Sequence, residues 1–427
     1  MTARAMAAKD TGRVRVLFVN DTARDGGPGR SLHALLGQLD RDRVHRTVLL
    51  PRPGPIADLL RDSGAADEIV FEPDWVENIV APLDRPMRRE DYRAPLPVRA
   101  ARALGNLAKG ARVVGGIARR ARGCDLIYGN GTTANFLAAA AAWRARVPAL
   151  WHVRYTSVPR ALGGLHARLA AGRAVRRIVC VSRPSAALFP QAGCAAKVDV
   201  VPNGLDLDAF APGAVTPRLR RELGLPPEAI VLGSHGRVLR RKGYEEMVRA
   251  AHLALAAQSP AARARCHFVV VGDTPPDFAE DHRASCVALA RGLGIGDRFH
   301  FIGFRADVRP YVADFDAVVV PSVYPDPLPR AVIEGMALGK PVLAFDVGGV
   351  GEMIDDGVEG TLVPGAPPDV PALAAAMLRA LRDPELRRRQ GAAARARVVR
   401  DFDARAHARR IERAIRQAIA PRPEASS

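Results

Sequence analysis

Two acidic residues, Asp326 and Glu334, stand eight positions apart in a stretch that also holds Pro321, Pro325, Pro327 and Pro329. Proline lacks an N–H and has a fixed φ, so it suits a turn or the first turn of a helix. The stretch reads as an apolar strand over 317–320, a tight loop, and a helix that carries Glu334 and ends at Gly339. A helix N-terminus has unpaired N–H groups and a partial positive charge, which suits an anion such as a diphosphate. Upstream, the segment Gly236-Arg-Val-Leu-Arg-Arg-Lys-Gly243 leaves one predicted strand and enters a helix. Arg237 offers a planar fork to phosphate oxygens and Lys242 a compact charge. Together they could stabilise a phosphate leaving group as charge develops on it. Read alone, the acids could equally be a turn Asp and a helix Glu, and the cations a solvated loop.

The elements that must position these residues alternate in type. Short apolar runs at 14–19, 44–50, 68–71, 125–128, 149–153, 177–181 and 198–201 read as buried strands, mostly separated by helical segments. A second series at 230–234, 267–271, 300–301, 317–320, 342–345 and 361–363 follows the same rhythm. Strands alternating with helices predict a parallel sheet covered on both faces, here twice over, with a ligand cleft at the strands' carboxyl edges. Val201-Pro-Asn-Gly-Leu-Asp206 punctuates the chain between the two series and reads as a hinge. The first strand runs into Asp25-Gly-Gly-Pro-Gly-Arg-Ser31, a loop before a helix at 31–39. Gly26 and Gly27 have no side chain to keep a phosphate or sugar away, although no complete G-x-G-x-x-G is present. His152 closes the strand 149–153, a position where side chains often meet ligands. Residues 72–96 look irregular. Residues 97–122 read as an amphipathic helix with Leu104, Leu107, Ala111, Val114 and Ala118 on one side and mostly cations on the other. Helices are expected over 370–400 and 403–419, the last with Ile411, Ile415 and Ala418 as its buried stripe, and 421–427 reads as a disordered tail.

The acid pair followed by Gly-Met-Ala-Leu-Gly-Lys-Pro-Val resembles the E-x7-E motif of the retaining family 4 glycosyltransferases, which have the GT-B fold. Asp326 takes the place of the first Glu, and Pro329 stands where Gly is frequent. Gly236 to Gly243 is similar to that family's G-R-x(4)-K-G segment, Trp151-His-Val-Arg154 to its strand-end His motif, and Phe301-Ile-Gly-Phe304 to its F-x-G-x stretch. Gly348 to Gly357 resembles G-G-x-P-E-x-I-x-D-G with Gly351 for Pro. The resemblance implies α/β architecture: two Rossmann-like parallel-sheet domains facing a central cleft, with a C-terminal helix crossing back to the first. It places an acceptor-binding domain over 13–203, a donor-binding domain over 207–400 and the crossing helix over 401–420. It assigns Asp326 and His152 to catalysis at the transferred sugar. Gly27, Arg237, Lys242, Gly272, Phe304, Leu328, Arg330 and Glu334 fall to the donor, with Glu334 on the ribose and Arg237 and Lys242 on the diphosphate. The implied reaction moves a sugar from a nucleotide-diphosphate sugar to an acceptor glycan or glycolipid. No protein nucleophile is evident, which fits front-face substitution assisted by the leaving group. No metal or other cofactor is expected, since no Asp-x-Asp with a nearby His occupies a cleft position. The 348–357 loop is expected to shape the site and not to bind.

Composition bounds the partners. The 427 residues suffice for two domains, and 48% hydrophobic residues is the share of a globular protein. No apolar run approaches the ~18–20 residues of a membrane span, and the start of the sequence has no apolar signal core, so a cytoplasmic protein is expected. The five cysteines lack metal spacing and read as small core residues in a reducing compartment. The net charge of +18 is uneven: residues 1–205 hold 32 Lys+Arg against 17 Asp+Glu, while 206–427 hold 31 against 28. A basic first half suggests an acidic partner, with an anionic inner-membrane surface as the candidate. Nucleic acid is not expected, because no aromatic-rich or helix-turn-helix module accompanies the charge. A sugar-nucleotide epimerase or phosphorylase on the same fold, and a basic non-catalytic nucleic-acid binder, are the alternative readings.

Overall fold

Apolar residues, many of them β-branched, dominate the central strands because these are buried on both faces of a parallel sheet. The computed structural model describes residues 12–24, 26–75, 94–276, 278 and 280–421; Asp25, most of the irregular 72–96 stretch and the tail from 422 lie outside the described residues. The first seven strands are β1 (Val14–Asn20), β2 (Val44–Leu50), β3 (Glu68–Phe71), β4 (Leu126–Asn130), β5 (Ala149–Val153), β6 (Val175–Cys180) and β7 (Val198–Val200). They form one parallel sheet in the order β3-β2-β1-β4-β5-β6-β7. The next six are β8 (Ile230–His235), β9 (Cys266–Val271), β10 (Phe299–Phe301), β11 (Ala317–Val320), β12 (Val342–Asp346) and β13 (Gly360–Pro364). These make a second parallel sheet in the order β10-β9-β8-β11-β12-β13. The chain divides accordingly into two compact units, one of residues 1–204 with 404–427 and the other of 205–403.

In the first unit the two faces of β1 feed separate cores. Val16 and Phe18 join Leu32, Leu36 and Val48, while Leu17 and Val19 face Ile117, Ala138 and Ala142, as the period of two requires. The helix Ala404–Ile419 packs within this unit, burying Ile411, Ile415 and Ala418 in the first of these cores. Full burial of each isoleucine contributes about 1.5–3 kcal/mol, enough to hold the helix on the sheet. Four cysteines are buried, Cys124 is half-buried, and all five are free thiols.

Three local expectations need correction. The first helix begins at Gly27, before the expected start, because Pro28 supplies a helical φ at the first turn; Gly27 is therefore a helix residue. The expected helix over 370–400 is two, Val370–Arg382 and Pro384–Asp401. Asp383 separates them: its carboxylate accepts from the Leu386 N–H as an N-cap, and Pro384 cannot continue a preceding helix. The third concerns the helix Leu96–Ala121. Its buried face is Asn106, Val113, Gly116, Ile117, Ala118 and Ala121, where small residues let it lie against the helix Thr132–Ala145. The apolar stripe expected along one side is divided: Ala118 is buried, whereas Leu104 is 70% exposed and Leu107 59%.

His407, on the inner side of the helix Ala404–Ile419, is buried beside His152, with ring centroids 6.1 Å apart. Burial, assisted by the Arg154 cation, lowers its pKa from 6.5 to about 3. The folded state thus binds this proton less readily than the unfolded chain. The corresponding stability is complete above pH 6.5 and is lost as pH falls toward 3. Between pH 6 and 4 the free energy of unfolding should fall by about 1.4 kcal/mol per pH unit from this residue alone. Urea titrations across that range should show the slope reduced in His407→Leu.

Candidate functional site at a reversal of strand order

In the second unit the strand order reverses between β8 and β11, so the chain leaves these neighbours in opposite directions. Open parallel sheets bind ligands outside the carboxyl ends of the strands at such a point. Both chemistry-bearing segments emerge there. The β8 end continues through Gly236 and Arg237 into a short 3-10 turn, Arg240–Lys242, and then the helix Tyr244–Ala256. The β11 end continues through Pro321 to Pro329 into the helix Arg330–Ala337. That helix has no side-chain cap and no acidic residue in its first turn, so no carboxylate competes there with an incoming anion.

Specific contacts hold the two segments together. The Val323 N–H donates to the Arg241 carbonyl at 3.1 Å. Gly243 has a left-handed φ of 71°, and a Cβ there would stand 1.7 Å from the Pro321 carbonyl oxygen. Lys242 Nζ donates to Asp326 Oδ2 at 2.6 Å, joining a predicted diphosphate cation to the predicted catalytic acid. The Gly349 N–H donates to the Asp326 carbonyl at 2.9 Å, so the 348–357 loop braces the acid's backbone. Glu334 is buried. Its Oε1 accepts from Arg330 Nε at 2.9 Å and its Oε2 from His235 Nε2 at 2.8 Å. Burial alone would raise the Glu334 pKa, but the Arg330 cation and the His235 bond outweigh it and bring it down to about 2. The carboxylate is thus anionic at neutral pH, and lone pairs remain on both oxygens for ligand hydroxyls.

The other predicted donor residues occupy different settings. Arg237 is half-buried in the loop after β8. Gly272 follows β9 and is a close-approach glycine: a Cβ there would lie 1.9 Å from the Gly236 carbonyl oxygen, so it packs the loop after β8 from behind. Phe304 follows the Gly272–Gly303 bridge and leaves its ring 59% exposed. Leu328 buries its side chain, which leaves only its backbone for a ligand. Arg330 spends part of its guanidinium on Glu334.

In the first unit Gly27 opens a helix after β1, and His152 ends up wholly buried. Tyr128 Oη bonds to His152 Nδ1, and Arg154 reaches the same nitrogen at 3.3 Å. Arginine only donates, so Nδ1 accepts and the ring proton sits on Nε2. Burial, Arg154 and His407 lower the pKa well below 6.5, which makes the ring a neutral donor. Its Nε2 is buried with no hydrogen-bond partner among the described residues. A polar chain extends from it: Arg154 Nε donates to Asn130 at 2.7 Å, Asn130 donates to Asn20 at 2.6 Å, and Arg154 also binds Asn203. Asn20 and Asn130 end β1 and β4, the strands between which this sheet reverses its order. Sequence reasoning assigned no role to Tyr128, Arg154, Asn130, Asn203 or His235. The available signal was that Asn20, Asn130 and His235 are polar residues closing apolar strands. Among the described residues no group of three or more His, Cys, Asp or Glu is placed to hold a metal ion.

Comparison with known proteins decides the family. The model described as glycosyl transferases group 1 matches residues 215–397, and that described as glycosyltransferase family 4 matches residues 25–209. The chain belongs to the group 1 glycosyltransferases. Within curated relatives, this group 1 chain is 37% identical over 203 residues to a D-inositol 3-phosphate glycosyltransferase of Kribbella flavida, covering 47% of this chain and 46% of that protein. It is 34% identical over 223 residues to a 2-deoxystreptamine glucosyltransferase of Streptomyces kanamyceticus, covering 51% of this chain and 54% of that one. The chain thus spans about half the length of the curated relatives it matches. Among solved structures, the Anabaena protein HepE in complex with UDP-glucose is similar at a TM-score of 0.74 and 26% identity, over 94% of this chain and 99% of that one.

Gly243→Ala tests how far the group 1 site depends on its backbone. The substitution meets both a left-handed φ and the Pro321 carbonyl. It should cost more than about 2 kcal/mol in denaturant unfolding, since the backbone must move and not a flexible side chain. An unfolding midpoint equal to that of the wild type would show that the two loops are not locked in this way.

Proposed function

We propose that the protein is a retaining glycosyltransferase that moves a sugar from a nucleoside diphosphate sugar to an acceptor hydroxyl. The observation that carries this reading is the convergence, where the strand order reverses in the second unit, of the segment bearing Arg237 and Lys242 with an uncapped helix N-terminus and an ionised Glu334. Membership of the group 1 family and the likeness to a protein solved with UDP-glucose support it. In the reaction the bond from the sugar's anomeric carbon to the diphosphate breaks, and its electron pair leaves with the diphosphate. The acceptor oxygen bonds to the same face of that carbon, and its proton passes to the departing phosphate oxygen. Arg237 and Lys242 neutralise the charge that grows on the leaving group. Glu334 takes the ribose hydroxyls. Asp326, released from Lys242 when the diphosphate claims that cation, meets the transferred sugar. His152, as a neutral Nε2–H donor, is suited to a sugar hydroxyl. No metal or other cofactor takes part in this reading.

Turnover with a panel of UDP-, GDP- and ADP-sugars tests the proposal. One of them should support transfer, and Arg237→Ala and Lys242→Ala should each weaken binding of its nucleotide by about 1.5–3 kcal/mol. Asp326→Asn should lower kcat with little change in nucleotide affinity, whereas Glu334→Gln should chiefly weaken binding. Conversion of the donor without transfer would favour an epimerase instead.

We further propose a lipid-linked acceptor, reached from the inner membrane face of the cell. The helix Leu96–Ala121 carries six cations and no acidic residue. Leu96, Ala100, Leu104, Leu107 and Ala111 recur along one exposed side of it. An exposed apolar stripe flanked by cations is the composition of a helix that lies in a lipid interface. No helix among the described residues is long and apolar enough to cross a membrane, so attachment would be peripheral. The protein should sediment with anionic vesicles at low salt and be released at 1 M, where the Debye length is about 3 Å. Leu104→Asp with Leu107→Asp should abolish the association. Indifference to anionic vesicles, or equal binding to neutral ones, would refute the membrane reading and leave the donor chemistry standing.

A further inference from the structure

We infer that His235 is a positioning residue of the donor site, one that fixes the Glu334 carboxylate so that it can receive the ribose diol. The inference rests on the donor-site reading above and extends it to a residue outside the acid pair and the Gly236–Gly243 segment. His235 is the last residue of β8, directly before Gly236 and Arg237. Glu334 lies on the helix that follows β11. The contact between them, Nε2 to Oε2 at 2.8 Å, therefore joins the two loops at their roots, with both side chains more than nine-tenths buried.

The chemistry of the pair is one-directional. An ionised carboxylate only accepts, so His235 Nε2 carries the proton and donates it. Arg330 approaches the same carboxylate at Oε1, where its Nη2 is 2.8 Å away. The two donors, one from the end of β8 and one from the helix after β11, set the plane of the carboxyl group. Arg330 alone could not do so, since a helix neighbour four residues away can swing with the Glu334 side chain. His235 is anchored on a strand of the sheet core and supplies the fixed point. A carboxylate held in one plane presents its remaining lone pairs in set directions, as recognition of two adjacent hydroxyls requires. His235 Nδ1 is buried and has no hydrogen-bond partner among the described residues. The ring is therefore oriented through its bond to Glu334 and through packing.

The full chain should be titrated in a calorimeter with UDP, GDP and ADP, and then with the 2′,3′-dideoxy form of whichever binds most tightly. The wild type should prefer the ribonucleotide. His235→Leu should bind it about tenfold more weakly, the loss expected for a charge-assisted hydrogen bond, and should bind the dideoxynucleotide as the wild type does. His235→Gln can place an amide N–H where Nε2 stood and should recover most of the preference. His235→Asn, whose amide falls short, should not, and this contrast remains readable if the Leu variant fails to fold. Equal weakening of both nucleotides would mean that His235 only packs the phosphate loop. An unchanged preference in His235→Leu would overturn the inference and leave the donor site intact. A wild type that binds both forms equally would remove Glu334 from the ribose. One that binds no nucleotide at all would remove the donor site, and this inference with it.

Discussion

The β8–β11 pairing constrains the second unit more than any other contact. Parallel strands cannot be joined by a hairpin, so each must be followed by a crossover, and where the order reverses the crossovers part to either side of the sheet. The crevice this leaves is a product of topology, present whatever residues fill it. Its filling is specific here. The loop after β8 brings Arg237 and Lys242, and the loop after β11 brings Asp326 and Glu334. Gly243 and Gly272 allow backbone to touch backbone beneath them, which fixes the height of the phosphate-type loop over the sheet.

Charge is then distributed by mutual pairing. Lys242 neutralises Asp326, and Arg330 neutralises Glu334. Lys242 and Arg330 are each held by a carboxylate, so neither charge is left bare. The two pairs differ in environment. Lys242 and Asp326 are partly open to solvent, whereas Glu334 and Arg330 are largely enclosed. The open pair is the one that can exchange partners at low cost, because water can share in the transition. The enclosed pair is suited to remain fixed while a ligand is added to it.

The first unit uses the same topology for a different surface. At its reversal point the strand ends carry Asn20 and Asn130, and the adjacent strand carries His152, all uncharged. Arg154 bonds to His152 and to Asn130, which in turn bonds to Asn20; burial first and the Arg154 cation second keep the histidine neutral. An arrangement rich in uncharged donors and acceptors around one arginine is matched to hydroxyl groups, and the cationic arrangement of the second unit to phosphate. The excess positive charge of the first unit lies elsewhere, on the helix Leu96–Ala121 among others.

The sequence by itself determined every strand of both sheets, because buried parallel strands are short, apolar and separated by punctuation that local rules can read. It also singled out Arg237, Lys242, Asp326 and Glu334 as candidates, since these sit in contiguous segments bounded by glycine and proline. Helix faces were less legible. Leu104 and Leu107 share an apolar stripe with Ala118 by spacing, yet the face of Gly116, Ile117 and Ala121 is the one that meets a neighbouring helix closely. Periodicity shows that a helix has an apolar stripe, and only the neighbour shows whether it is covered. The break at Asp383 was readable in principle as a cap before a proline, but continuous helical spacing on both sides concealed it. Tertiary structure alone decided the partners: His235 lies 99 residues from Glu334 and Lys242 lies 84 from Asp326. No local pattern encodes such contacts, because they arise where the sheet reverses its order and brings two distant strand ends side by side.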